Sequence, residues 1–275
     1  MLNKKWRKYN GVLIFNLSPH LENDMSNVGE LIRKTGSSMA RWVTNFDCGI
    51  ETDYWYIIKD SFAGIDEYSY NTRKSIRKGL RRLEVKQISK EILLNNGYEV
   101  YKQAFIAYKT LNKLKNKDVF IREIVALDEK WEFWGVFIKE DNSRMVGYSI
   151  NYVGDDYSDF SITKFHPGFL KLRLSDALFF KMTEYYLGYR KLKYITGGSR
   201  NISHKTNIQL EYIRKFKFRK AFCKLNVHYN PFFKILVNIL FPFRRLLKLF
   251  PINFFRKIVV VLKQESIRRN CKKLC

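Results

Sequence analysis

The chain has 275 residues, enough for one large domain or two small ones, and its ordinary apolar and charged fractions exclude global disorder. Against 26 Asp and Glu stand 51 Lys and Arg, a formal charge of +25. Such a charge predicts an anionic partner (nucleic acid, anionic lipid or a polyanionic substrate), with a solvated lysine-rich surface as the bland alternative.

The four cysteines, Cys48, Cys223, Cys271 and Cys275, lack metal-ligand spacing, so no metal is expected. No run approaches the roughly 18 apolar residues of a membrane span. The apolar stretch Gly11–Leu17 is too short for a signal peptide, which predicts a cytoplasmic protein.

Val12–Leu17 reads as a short strand and Glu30–Lys34 as a helical turn. Ala40–Phe46 and Tyr54–Lys59 carry the aromatic and β-branched residues of strands. Tyr68–Arg82 reads as a basic helix and Leu83–Ile88 as a strand. Ser89 is placed to cap a helix over Lys90–Leu111, and a second helix follows at Val119–Asp128. Phe133–Lys139, Arg144–Val153 and Tyr157–Lys164 form an antiparallel meander, with turns at Glu140-Asp-Asn-Ser and Gly154-Asp-Asp. His166-Pro-Gly breaks the chain before an amphipathic helix over Leu172–Tyr189. A buried strand at Leu192–Thr196 leads through Gly197-Gly198 into a helix over Ser203–Phe216 and a last strand at Arg219–His228.

After His228 the composition shifts. Prolines 231, 242 and 251 cut the remainder into short helical pieces, and from Phe232 to Cys275 the sole acidic residue is Glu265, against eleven Lys and Arg. Aromatic and aliphatic residues mixed with cations suit interfacial helices resting on an anionic membrane surface. A helical hairpin packed on the protein is the alternative. RNA is a poorer partner for so aliphatic a tail, and DNA is not expected.

Three passages resemble the GNAT acyltransferase superfamily, in the branch of FemAB-like aminoacyltransferases and BioF2-like acetyltransferase domains. They are Tyr70-Asn-Thr-Arg-Lys-Ser-Ile-Arg-Lys-Gly-Leu-Arg-Arg-Leu-Glu-Val, the strand pair Trp134-Gly-Val-Phe through Met145-Val-Gly-Tyr-Ser-Ile, and Ile195-Thr-Gly-Gly-Ser-Arg-Asn leading to Tyr212-Ile-Arg-Lys-Phe-Lys-Phe. The resemblance implies an α/β fold with a GNAT-like mixed sheet flanked by helices, followed by the amphipathic tail. It divides the chain into an N-terminal region 1–130, which is a candidate degenerate GNAT half, a GNAT-like domain 131–228, and the tail 229–275. Two departures bear on the donor. The usual glycine-rich pyrophosphate loop is replaced by His166-Pro-Gly-Phe-Leu-Lys-Leu-Arg-Leu-Ser, and Lys217 stands where a Gly-Phe pair is common.

Acyl transfer requires aligned reactants, a hydrogen-bond donor for the oxyanion and a base. The GNAT frame implies that two central strands splay near Lys164–Phe165 and Ile195–Gly197. His166, Asp159 and Tyr212 are therefore the catalytic candidates, as base, acceptor-orienting carboxylate and leaving-group acid. A loop histidine packed against Pro167, a carboxylate among aromatic residues that needs a partner if buried, and core packing are the structural alternatives. Candidate donor-binding residues are Phe165, Leu170, Lys171, Arg173, Ser175, Gly197, Gly198 and Asn207. Arg73, Arg77, Lys78 and Arg81 share a broad face of the basic helix and are candidate anion contacts. That face can be solvated, can hold donor phosphates, or can meet tRNA or lipid.

These readings converge on an acyltransferase at the inner face of a membrane. It would use acyl-CoA or aminoacyl-tRNA as donor, and an amine or hydroxyl of a cell-envelope, lipid-linked or sugar molecule as acceptor. A non-catalytic GNAT scaffold that binds tRNA or another polyanion is the alternative.

Overall fold

The computed structural model describes residues 5–16, 18–107, 113–202, 207–249 and 253–274. They form two compact units that interleave along the chain. Unit 1 is Met1–Ile57, Ser199–Asn207 and Lys220–Cys275; unit 2 is Ile58–Gly198 and Ile208–Arg219. Contacts thus join the C-terminal segment to the N-terminal one, unlike the ranges 1–130, 131–228 and 229–275 read from sequence.

Unit 2 carries a mixed sheet whose strand order is β9-β8-β7-β6-β5. Its strands are β5 (Leu83–Ile88), β6 (Trp131–Ile138), β7 (Asp141–Val153), β8 (Tyr157–Phe165) and β9 (Tyr194–Ser199). The pairs β5–β6, β6–β7 and β7–β8 are antiparallel, while β8–β9 is parallel. Trp131-Glu-Phe-Trp-Gly-Val-Phe-Ile is apolar at nearly every position because both faces of β6 are covered. Phe133 and Phe137 enter a cluster with Leu93, Val100 and Tyr101 of α3 (Lys90–Ala107) and Phe120 of α4 (Lys117–Val125). Trp134 points to the opposite face, where its Nε1 donates to the Tyr186 hydroxyl at 3.0 Å. On that face α2 (Tyr70–Arg82), α5 (Leu174–Thr183) and α6 (Ile208–Phe216) pack around Phe179, Phe180 and Phe216.

Ser69 caps α2, its hydroxyl accepting from the Thr72 amide. Thr72, Ile76 and Gly79 form the buried stripe of that helix. A Cβ at Gly79 would lie 3.0 Å from both Ala177 Cβ and the Arg173 carbonyl oxygen, so glycine lets α2 approach the start of α5 this closely. The helix read over Leu172–Tyr189 is two pieces, α5 and a π segment Glu184–Tyr189, preceded by a 3₁₀ segment Pro167–Leu172. Gly197 and Gly198 are strand residues of β9 and not the turn read from sequence.

Unit 1 orders its strands β1-β2-β3-β10-β4. These are β1 (Trp6–Tyr9), β2 (Val12–Phe15), β3 (Met39–Thr44), β10 (Arg219–Tyr229, from Lys220 onward) and β4 (Tyr54–Lys59, as far as Ile57). Helix α1 (Val28–Thr35) seals one side through Val28 and Ile32 against Leu13 and Ala40. The segment after His228 forms α7 (Pro231–Leu240), two 3₁₀ turns, and α8 (Asn253–Leu274). Much of the tail is core. Leu262, Ile267 and Cys271 of α8 are buried with Met39, Tyr54, Leu225 and Tyr229, so the sheet covers an apolar face of this helix. Glu265, 1 % exposed, accepts hydrogen bonds from Arg268 (2.6 and 2.7 Å), Arg269 (2.7 Å) and the Tyr229 hydroxyl (2.8 Å). Burial pushes its carboxyl up, but those hydrogen bonds outweigh it and hold the group below the ordinary value. Phe250, Pro251, Ile252 and Cys275 lie outside the described residues, as do 108–112 of the helix read over Lys90–Leu111 and 203–206 of that over Ser203–Phe216.

Candidate acyl-transfer site and basic groove

Strands β8 and β9 pair at Tyr157↔Tyr194, Ser158↔Ile195 and Asp159↔Thr196, and there the ladder ends. β8 runs on to Phe165 alone on that side, so the strands splay at Asp159 and Thr196, earlier than the Lys164–Phe165 read from sequence. Two local features produce the opening. The β7–β8 register shifts between Ile150 and Tyr152, a bulge that bends β8. On the other strand Gly198 has φ +86°, a conformation that disfavours any side chain, and its amide donates to Thr196 Oγ1 at 3.0 Å. Past Asp159, backbone amides of β8 face the opening without a strand partner there among the described residues. Such amides are suitable donors to an oxyanion.

Asp159 is half-buried at the base of this V. The Tyr212 ring of α6 is buried against Phe179 (centroids 4.8 Å apart) and Phe218 (4.7 Å). Burial first, and then the Asp159 charge, push the Tyr212 phenol far above its ordinary value, so it stays protonated. Tyr194 is raised in the same way, by burial and then by Tyr157, Asp156 and Asp159. Of the three catalytic candidates, Asp159 and Tyr212 are therefore near enough for the charge of one to act on the other.

His166 is not with them. It follows Asp159 by seven residues of largely extended chain, roughly 20 Å at about 3.3 Å per residue. There it caps the 3₁₀ segment: Nδ1 accepts from the Gly168 amide at 3.2 Å, and the ring meets Phe169 at 5.0 Å. Its histidine chemistry serves the turn.

The donor-binding candidates scatter. Phe165 packs on Phe179, Leu170, Lys171 and Arg173 are exposed, and Ser175 is half-buried in the first turn of α5. Gly197 and Gly198 lie on β9, and Asn207 belongs to unit 1. The amide end of α5 carries Asp176, which is 1 % exposed. Burial pushes its carboxyl up, and Lys215, 3.4 Å away, pulls it back down. A side-chain carboxyl thus occupies the end of α5 that would attract a pyrophosphate.

Phosphate-holding capacity lies on α2. Tyr70, Lys74, Arg77, Leu80, Arg81 and Lys139 line an open groove of about 700 Å³. Tyr70, Lys74, Arg77 and Arg81 repeat at i, i+4, i+7 and i+11, one face of the helix. Lys139 enters from the end of β6, its Nζ donating to the Leu80 carbonyl at 2.7 Å. Among the described residues Lys74, Arg77 and Arg81 have no carboxylate within 4.0 Å. Of the four anion contacts read from sequence, Arg77 and Arg81 line the groove, whereas Arg73 turns to Asp66 and Lys78 lies off it. Tyr70 and Lys74 were legible in the spacing; Lys139 required the register of β5 and β6.

No protein-family profile matches the chain, and no curated protein does. Solved structures do. FemX superposes with a TM-score of 0.54 at 10% identity, over 78% of this chain and 81% of FemX. A protein from Agrobacterium fabrum, described as the C-terminal domain of a lysylphosphatidylglycerol synthetase, gives 0.50 at 10% identity, over 84% and 82%. The meander and the parallel β8–β9 pair that opens into a V accord with these two likenesses: the chain has a mixed α/β fold like that of FemX and of the Agrobacterium domain.

Proposed function

We propose that the protein is an acyltransferase whose chemistry occurs in the V between β8 and β9, with an aminoacyl-tRNA as donor. The single observation that carries this reading is the opening of the strands at Asp159, whose charge reaches the buried Tyr212 phenol. In the proposed step an acceptor amine or hydroxyl attacks the acyl carbonyl carbon and passes its proton to Asp159. The ester bond to the donor ribose oxygen breaks as that oxygen takes the Tyr212 proton. The unpartnered β8 amides hold the intermediate oxyanion. The proton on Asp159 then restores the phenol.

Two features favour a tRNA donor over coenzyme A. The amide end of α5 already holds the Asp176 carboxyl, and the groove of cations on α2 is long enough to follow several phosphates. A lipid or cell-envelope acceptor accords with the Agrobacterium likeness, which is described as the C-terminal domain of a lysylphosphatidylglycerol synthetase.

The test is photo-crosslinking with an aminoacyl-tRNA that carries a photoreactive aminoacyl group. Crosslinks should map to Tyr157–Phe165 and Tyr194–Gly198. Crosslinks confined to unit 1, or no more than those obtained with tRNA lacking the aminoacyl group, would contradict the proposal.

A further inference from the structure

Helix α7 is apolar on two sides. One side is used: Phe233, Val237 and Leu240 pack against Tyr229, Met39 and Leu262. The other is bare. Phe232 is 85% exposed, Ile235 59%, Leu236 46% and Ile239 60%. Their spacing, i, i+3, i+4 and i+7, puts them on one stripe, and Phe243 and Leu246 prolong it through the 3₁₀ turns. Asn230 anchors the helix, its Oδ1 accepting from the Phe232 amide at 3.1 Å. Single exposed apolar residues are ordinary, but a contiguous stripe of large ones marks an interaction surface.

Charge decides what covers it. Lys234 and Arg245 are exposed beside the stripe, and the half-buried Arg244 guanidinium sits 4.4 Å from the centre of the Phe241 ring. From Tyr229 to Gln264 the sequence contains no Asp or Glu. A second copy of the chain meeting this face about a two-fold axis would set these cations against one another with no carboxylate between. Nucleic acid would match the cations and leave the aliphatic stripe wet. An anionic bilayer satisfies both, taking the apolar side chains at the headgroup boundary while Lys and Arg meet phosphates. No helix of the described residues is long and apolar enough to cross a membrane, which is consistent with a helix lying in the plane of the surface.

We propose that the α7 stripe docks the protein onto an anionic phospholipid bilayer, with α7 in the plane of the interface and α8 kept in the core of unit 1. The docking proposal is independent of the transfer chemistry. The test is flotation of the full chain with vesicles of phosphatidylcholine alone and of phosphatidylcholine with phosphatidylglycerol. The protein should float with the anionic vesicles and stay behind with the neutral ones. Phe232→Ser with Ile239→Ser should lower partitioning roughly tenfold or more. Lys234→Gln with Arg245→Gln should lower it about twenty-five-fold, about fivefold per charge. All four side chains are exposed, so thermal unfolding should be unchanged and should exclude misfolding as the cause. The proposal is overturned if the protein ignores anionic vesicles or if the serine pair floats equally well. It is also overturned if the wild type is a dimer in solution that the serine pair dissociates, since a second copy would then cover the stripe.

Discussion

Replacing Lys74, Arg77 and Arg81 together by alanine removes three of the four cations of the α2 groove and leaves Lys139. Each phosphate neutralised by a cation contributes about 0.7 to 0.9 to the slope of log K against log salt. Four contacts therefore predict a slope near −3, a loss of about sixtyfold in tRNA affinity between roughly 50 and 200 mM salt. In the triple variant the slope should fall to near −1 and the loss over the same range to about threefold. Filter binding or fluorescence anisotropy with tRNA lacking an aminoacyl group, repeated across salt concentrations, reads both numbers. None of the three side chains holds the fold, because Ile76, Thr72 and Gly79 do so from the opposite face of the helix, and the variant should melt like the wild type. A steep slope unchanged by the triple variant would refute the reasoning, since the phosphates would then lie elsewhere on the molecule.

Other expectations concern the scaffold. Gly79→Ala should destabilise the protein by about 1–2 kcal/mol in urea titrations, because the overpacking against Ala177 and the Arg173 carbonyl outweighs a helix-propensity gain of about 1 kcal/mol. Gly198→Ala should cost about 1–2 kcal/mol through its positive φ, read from the same titrations. Glu265→Ala should cost about 3 kcal/mol at neutral pH by leaving the Tyr229 hydroxyl and two guanidinium groups without their acceptor. The folded Glu265 carboxyl titrates below its unfolded counterpart. Its stabilisation is therefore present above the unfolded value of 4.5 and lost as pH falls through the lower folded value, and the wild-type and variant stabilities should converge in acid.

Much of unit 2 was legible because its signals are local. The meander turns where Gly154-Asp-Asp says it must, and the basic run read over Tyr68–Arg82 is helix α2. What escaped depends on partners distant in sequence. The opening of the V lies at Asp159 because a bulge and the positive φ of Gly198 stop the ladder there, and no spacing encodes where two strands part. His166 read as a base because a histidine beside a donor loop suits catalysis; its Nδ1 serves as the cap of the following turn. The apolar face of α8 reads the same whether lipid or a sheet will cover it. Glu265, set within reach of Arg268 and Arg269, was the available hint that this helix turns inward. Strand β1 was missed because Trp-Arg-Lys-Tyr looks like a solvated terminus. The Asn10-Gly11 turn behind it, with both residues at positive φ, was the signal for that hairpin.

The central claim is acyl transfer in the V of unit 2, and it is tested most directly by following a labelled aminoacyl group from tRNA to an amine or phospholipid acceptor with intact protein. The account predicts transfer by the wild type, a loss of about a hundredfold or more in Asp159→Asn, and a comparable loss in Tyr212→Phe, with tRNA affinity unchanged in both. Undiminished transfer by the Asp159→Asn, Tyr212→Phe double variant would contradict it.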